Sequence, residues 1–489
     1  MRDRMEITTP TSQVLRARRR GASWIAPRMA ALAAIYCVIV YAIPRPEAIR
    51  PEGWRLLGLF VATVTGLILE PFPGGAVVFI AVVLASALGG LTLRQSLSGY
   101  ADLTVWLLLS AFFIARSLIN TGLARRIGLF FVRLFGKSSI GIYYALSLSE
   151  MTLATVIPSN GARSGGVIMP IARSIAEVYG SEPGPTAALL GSFLMTALYQ
   201  SDCVAAAMFY TGQAGNPLAA TLAPAGLRHL VTWSSWFVAG IVPGLCSLAT
   251  IPWVVAWLSP PGIRKTPEAH AFACRELEAM GPMTRREWIL AVVFVSVCVL
   301  WVTSGWSHID ITWTALCGGA ALILTGVLSW EDIKGDTAAW DIFIWFGGLV
   351  MLGKALNDAK VTTEFAKLVA GAFTGTAWVW LFVAALAIYF YAHYAFASIT
   401  AHLLAMYPPF LVVLLAKGAP PGLVIFSFAC FASLSAGVTH YGTTPAPMYF
   451  AQNYVSLKQW WKIGLVVSFM NLAIWVVIGF SWWKLVGIW

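Results

Sequence analysis

Apolar stretches close to the length that crosses a hydrocarbon core of about 30 Å recur from one end of this chain to the other. They include residues 29–43, 56–69, 76–88, 288–302 and 463–480. Charged residues make up 11% of the chain, against roughly 25% in soluble domains, so most of its surface cannot face water. The sequence predicts an all-α polytopic membrane protein. Any polar, helix-breaking stretch inside an apolar run must then be surrounded by protein or water, because an unpaired backbone group in lipid costs several kcal/mol.

The net charge of +11 comes largely from loops and reads as membrane orientation rather than nucleic-acid binding. Residues 1–28 carry seven arginines: Arg2, Arg4, Arg16, Arg18, Arg19, Arg20 and Arg28. The apolar run that follows ends at Pro44 without a small-residue cleavage site, so the segment is read as a basic cytoplasmic tail before the first helix rather than a signal peptide. With that end inside, about eleven crossings place Arg125, Arg126, Arg133 and Lys137, the loop 264–286, and Lys458 and Lys462 on the cytoplasmic side. The segment around 125–137 has apolar residues at helical spacing and is read as interfacial. The Trp460-Trp461 and Trp482-Trp483 pairs are read as interface anchors. The seven cysteines are scattered without metal or redox spacing, and no cofactor or metal is expected.

The two halves resemble each other. Asp102 and Trp106 match Asp341 and Trp345, and Ser159, Ala162 and Pro170 match Ser398, Ala401 and Pro409, all at one offset. An odd number of crossings per half gives the copies opposite orientations. Such inverted repeats with broken helices place a transporter's site near the membrane midplane. The domain reading is therefore tail 1–28, first helix and first repeat 29–260, cytoplasmic linker 261–287 and second repeat 288–489.

Four polar islands interrupt apolar sequence. Residues 158–166 join two short apolar arms and are read as the tip of a re-entrant hairpin, where helix N-termini offer free N–H groups to an anion. Residues 397–402 mirror it. Tyr199-Gln200-Ser201-Asp202 and the stretch 439–447 are read as breaks in two further helices, the first near 199–204 and the second near 440–447. Charge at bilayer depth costs at least about 3 kcal/mol, so Arg163, Asp202 and His402 are functional candidates. Arg163 can fork onto a carboxylate, and Arg163→Ala is expected to abolish transport with the fold intact. The candidate substrate-binding set is Ser159, Asn160, Gly161, Arg163, Ser201, Ser398, Thr400, His402, Thr443, Thr444 and Pro445. Asp202 and His440 are candidates for a proton or charge role. Asp202 reads equally as the counter-ion of Arg163, and His440 and His393 equally as structural residues. Gly166, Gly191, Gly347 and Gly348 are read as close-packing positions. No Walker motif or catalytic triad can be argued, so no enzyme is expected.

These motifs resemble the divalent anion–sodium symporter family, and within it the exchanger branch of plastid 2-oxoglutarate/malate translocators and bacterial citrate/succinate or tartrate/succinate antiporters. The matching residues include Pro158-Ser159-Asn160 with Ala162-Arg163, the run Trp345 to Met351, Thr400-Ala401-His402, and Thr439-His440-Tyr441-Gly442 with Pro445-Ala446-Pro447. The resemblance covers nearly everything after about residue 50. It implies an elevator in a bacterial inner membrane, with a dimerising scaffold and a moving domain that carries both hairpins. In sodium-coupled members each tip reads Ser-Asn-Thr and helps bind sodium and substrate. Here Ile399 stands for the second Asn, removing an oxygen ligand, and Gly161 stands for the first Thr. The branch carries Arg and His at the positions of Arg163 and His402, cations that can replace sodium in balancing an anion. The resemblance thus implies sodium-independent exchange of di- or tricarboxylates. The run Cys203-Val204-Ala205-Ala206 is more apolar than usual in this branch, which would suit a larger or less polar carboxylate. The alternatives are a sodium- or proton-coupled carboxylate symporter, a carrier of another ion such as arsenite, or, from another class, a membrane enzyme or assembly protein.

Overall fold

The computed structural model describes residues 25–372 and 375–489, and the basic tail lies outside them as far as residue 24. Among the described residues there is no β-strand. The longer helices in the first half are α1 (Ile25–Ala42), α2 (Pro51–Leu69), α3 (Gly74–Ala87), α4 (Leu103–Asn120), α5 (Leu123–Phe135), α6 (Ser139–Ala154), α7 (Met169–Val178), α8 (Gly191–Met208), α9 (Gly215–Leu222) and α10 (Trp233–Leu258). They continue with α11 (Pro267–Ala279), α12 (Arg285–Val302), α13 (Ile311–Leu324), α14 (Thr337–Asp358), α15 (Val361–Ala372), α16 (Trp378–Ala392), α17 (Ile399–Ala416), α18 (Pro421–Leu434), α19 (Pro445–Phe450) and α20 (Leu457–Leu485). Eight helices among the described residues are long and apolar enough to cross a membrane, and three shorter apolar helices accompany them.

The helix order supports the repeat. The series α4, α5, α6, α7 recurs as α14, α15, α16, α17, and Ser139, which opens α6, corresponds at the repeat offset to Trp378, which opens α16. At each expected tip two helical arms pack on one another around an irregular stretch. In the first, α6 ends at Ala154, residues 155–160 are mostly non-helical, and a π-helix over Gly161–Ile168 runs into α7. In the second, the break covers 393–398 between α16 and α17. The second tip thus lies a few residues earlier than 397–402, and Thr400 and His402 belong to the first turns of α17.

One predicted break is misplaced. Tyr199 to Asp202 lie inside α8, which is continuous and buried over all 18 residues. The first broken helix opens instead after Met208, where Phe209 is extended (φ −121°, ψ 141°), and resumes at Gly215. Polar composition alone suggested a break, whereas the polar groups of α8 serve other segments. The segment 261–287 is also more than a linker. Its α11 packs on α5, held by Arg125–Glu276 at 2.6 Å and by Arg126, which bonds Glu287 at 2.7 Å and the Gly281 carbonyl at 2.9 Å.

Proline explains where several aromatic donors go. Inside α10, Pro243 and Pro252 lack the N–H that the carbonyls of Ala239 and Leu248 would receive. In a membrane such carbonyls need other donors. Trp483 Nε1 donates to Ala239 O at 2.8 Å, and the Tyr143 hydroxyl donates to Leu248 O at 3.0 Å. The expectation that Trp460 and Trp483 anchor at an interface is therefore corrected, since both are buried. Tyr143→Phe should lower thermal stability by about 1–2 kcal/mol, because it orphans that buried carbonyl. An unchanged melting temperature of the purified protein would contradict this account.

The described residues that fall within Met1–Tyr100 and Ile344–Glu364 form one compact unit, and those within Ala101–Phe343 and Phe365–Trp489 form a second. This division cuts across the repeats. In the first unit, Gly347 lies against the Tyr100 ring and Gly348 against Val78, so that a Cβ at either would overlap. The Tyr100 hydroxyl donates to Ile344 O at 3.1 Å. The second unit holds every candidate site residue.

Candidate functional site

Four irregular segments meet within the second unit: the two hairpin tips, residues 209–214, and residues 438–444. Each exposes backbone groups, and each is satisfied by side chains from another segment. Tyr199 and Gln200 on α8 donate to the carbonyls of Ala436 and Gly437, at 2.6 and 2.7 Å. Asn216 donates to Ala206 O and Phe209 O at 2.7 and 2.8 Å, closing the end of α8. His393 Nε2 donates to Gly442 O at 2.9 Å, and the Tyr441 hydroxyl donates to Tyr394 O at 3.0 Å, so the second tip and second break are tied together. The first tip also reaches the second break, since a Cβ on Gly161 would stand 2.8 Å from the Thr444 methyl.

Arg163 is the electrostatic centre of the first tip. It is fully buried. Its Nε donates to Glu150 at 2.5 Å and its Nη2 to Asp202 at 3.0 Å, while Nη1 donates to the carbonyls of Ile157 and Gly212, both at 2.7 Å. Two carboxylates and two carbonyls from the breaks therefore surround one guanidinium. A buried cation is tolerable only when paired and hydrogen-bonded in this way. Asn160 Nδ2 adds a bond to Asp202 at 3.3 Å, and Asn160 Oδ1 and Glu150 Oε2 are left without partners. In this conformation Arg163 is committed to protein groups and does not present a free fork to a ligand. Glu150 escaped the sequence reading, although a carboxylate within the apolar arm 140–157 was itself a signal.

The other candidates divide by exposure. Ser159, Gly161, Ser398, Thr400 and His440 are half-buried, and Thr444 is exposed. Ser159 Oγ also accepts from the Ala162 amide at 3.3 Å. Thr443 and Pro445 are buried at the start of α19. Ser201 is buried and shares a 2.7 Å hydrogen bond with Ser147, joining α6 to α8. His402 is buried against Tyr389, His393 and Phe396, with ring centroids 4.3, 4.9 and 5.2 Å away. Neither of its ring nitrogens has a hydrogen-bond partner. The Arg163 and His402 positions, alike in the repeat, thus differ: one cation site is saturated and the other imidazole is unengaged. Among the described residues, no group of three or more His, Cys, Asp or Glu is placed to hold a metal ion.

Residues 23–489 match the family described as sodium:sulfate symporter transmembrane region. The chain belongs to this family. It is 42% identical to a putative malate transporter of Bacillus subtilis over 92% of this chain and 95% of the relative. It is 39% identical to dicarboxylate transporter 1 of Spinacia oleracea chloroplasts, over 96% and 83% respectively. An inner membrane protein of Escherichia coli is 32% identical over 93% and 97%. The family and these named transporters are not enzymes, and this member is an integral membrane protein.

Family membership gives the Gly161 geometry a consequence. Gly161→Thr restores the hydroxyl that the resemblance leads one to expect, but its side chain would press on Thr444. The variant is expected to raise KM for small dicarboxylates several-fold, on the order of 1 kcal/mol of lost complementarity. Pairing it with Thr444→Ala should recover much of the loss. A KM for Gly161→Thr at or below wild type would refute the steric account.

Proposed function

We propose that the protein exchanges small di- or tricarboxylate anions across a bacterial inner membrane without sodium. The observation that carries this reading is the Arg163 cage. The carbonyls of Ile157 and Gly212 and the carboxylates of Glu150 and Asp202 are oxygen-rich surroundings of the kind that hold a hard cation. Here a guanidinium fills that place covalently. A tethered guanidinium already occupies these oxygens, so a sodium ion has no place there through which its gradient could drive transport. Ile399 supports the same conclusion at the second tip, since it offers no side-chain oxygen. The half-buried hydroxyls of Ser159, Ser398 and Thr400, with exposed Thr444, supply neutral donors for the carboxylates.

The names of the dicarboxylate and malate transporters among the relatives support the substrate class. The repeat, with two hairpins and two broken helices, supports oppositely oriented halves and an elevator, the family resemblance adds a homodimer, and the arginine-rich tail a cytoplasmic N-terminus. A second reading is proton-coupled symport. Its specific support is that Glu150 and Asp202 share one guanidinium, so a proton would neutralise the cluster.

Counterflow in proteoliposomes tests both. Vesicles loaded with succinate, malate, citrate, tartrate or 2-oxoglutarate should take up labelled succinate at the same rate with or without sodium. Empty vesicles should take up almost none. Sodium-driven filling of empty vesicles would overturn exchange, and filling driven only by a pH gradient would establish the second reading.

A further inference from the structure

His440 sits at the second break, half-buried, in an aromatic surround. Phe450 lies 4.8 Å from its ring centroid, Tyr441 5.0 Å and Trp461 6.2 Å. Trp461, on α20, donates its indole N–H to His440 Nδ1 at 3.2 Å. An indole nitrogen is a donor only, so Nδ1 must accept. A neutral imidazole has one donor and one acceptor, and its proton is therefore on Nε2. Among the described residues that Nε2–H has no acceptor, and His440 shares its irregular segment with exposed Thr444 and with Tyr441, whose hydroxyl donates to Tyr394 O at the second tip. The contacts of Trp461 with Tyr394 and Tyr441, centroids 5.5 and 6.5 Å away, fix the indole that fixes the imidazole.

We propose that Trp461 is a positioning residue that locks His440 in the Nε2–H tautomer, and that this N–H is a donor to a carboxylate of the transported anion. The proposal rests on the carboxylate reading given above. A tautomer lock suits an anion site without a bound metal: a histidine free to choose its tautomer would present a lone pair to the carboxylate part of the time. It also gives the second break a neutral donor beside its hydroxyls, independent of the Arg163 cage.

The test combines substrate kinetics with a signature that needs no substrate. In the full-length protein with 15N-labelled histidine, the His440 signal, assigned by its loss in His440→Gln, should show the protonated nitrogen at Nε2. Trp461→Phe keeps most of the ring packing and removes the donor, and should give a tautomer mixture. In counterflow with succinate or malate, His440→Ala should raise KM on the order of ten-fold with little change in maximal rate. His440→Gln, whose amide can place an N–H where Nε2 was, should restore much of the affinity. His440→Asn, which reaches only the Nδ1 position, should not. Trp461→Phe should raise KM several-fold. A wild-type proton on Nδ1, an unchanged tautomer in Trp461→Phe, or equal affinities for His440→Gln and His440→Asn would each overturn the proposal. If the tautomer results hold but wild-type protein transports no carboxylate, the substrate reading fails and the lock stands.

Discussion

Arg163→Ala is expected to abolish counterflow and, at the same time, to destabilise the protein. The sequence alone suggested loss of a substrate anchor from an intact fold. The structure instead has the guanidinium bonded to Glu150, Asp202, Ile157 O and Gly212 O, all in the interior. Deleting it leaves two buried carboxylates and two carbonyls without their cation, and removing one partner from a buried ion pair costs about 3–5 kcal/mol. Thermal unfolding in detergent should show a lowered midpoint, and the yield of monodisperse protein should fall. The companion variant carrying Arg163→Ala with Glu150→Gln and Asp202→Asn removes the uncompensated charge. It should regain much of the stability without regaining exchange. Wild-type exchange by the single variant would remove the Arg163 cage from the mechanism. A fully stable single variant would contradict the pairing.

Gln200→Leu is the second large effect. The side chain is nearly the same size, yet Leu cannot donate to Gly437 O across the interface between α8 and the second break. An orphaned buried carbonyl costs about 1–3 kcal/mol, and here it also loosens the segment that carries Thr443 and Thr444. Tyr199→Phe removes the neighbouring donor to Ala436 O. The two share one segment, so their effects should not add. Both variants should melt earlier, and both should lose transport more steeply than stability, because the proposed substrate site includes this break. If Gln200→Leu leaves the melting temperature and the transport rate unchanged, the cross-repeat bonds are not what holds the break in place.

The residues themselves show how far the sequence could be read. Ser159 and Ser398 were matched across the repeat from spacing alone, and the arms around them pack as hairpins. That inference depended only on short apolar runs separated by small polar residues, which are local properties. Tyr199 to Asp202 misled because the same composition also describes a continuous helix whose polar groups face another segment. Which of the two applies depends on what lies opposite: here, Ala436, Gly437 and Arg163. Glu150 was overlooked for the same reason, since its meaning comes from a guanidinium thirteen residues later in the chain. The tryptophan pairs were assigned by the statistics of interfaces. The carbonyls that Pro243 and Pro252 leave without their usual N–H were legible in the sequence, but Trp483 and Tyr143 as their donors were not.

Hydrophobic run length and breaker residues act over a few turns of chain, and from them alone a helical membrane protein with interrupted apolar arms was legible. Family-specific motifs carried it as far as a transporter. Which polar groups are spent on holding the breaks, and which are left for a ligand, follows from what packs opposite them. In an apolar interior each carbonyl and charge must find a partner, and those partners come from anywhere in the chain. Arg163, Ser201, Gln200 and Asp202 are thereby committed to protein groups, while Ser159, Ser398, Thr400, Thr444 and the Nε2–H of His440 keep capacity for a ligand.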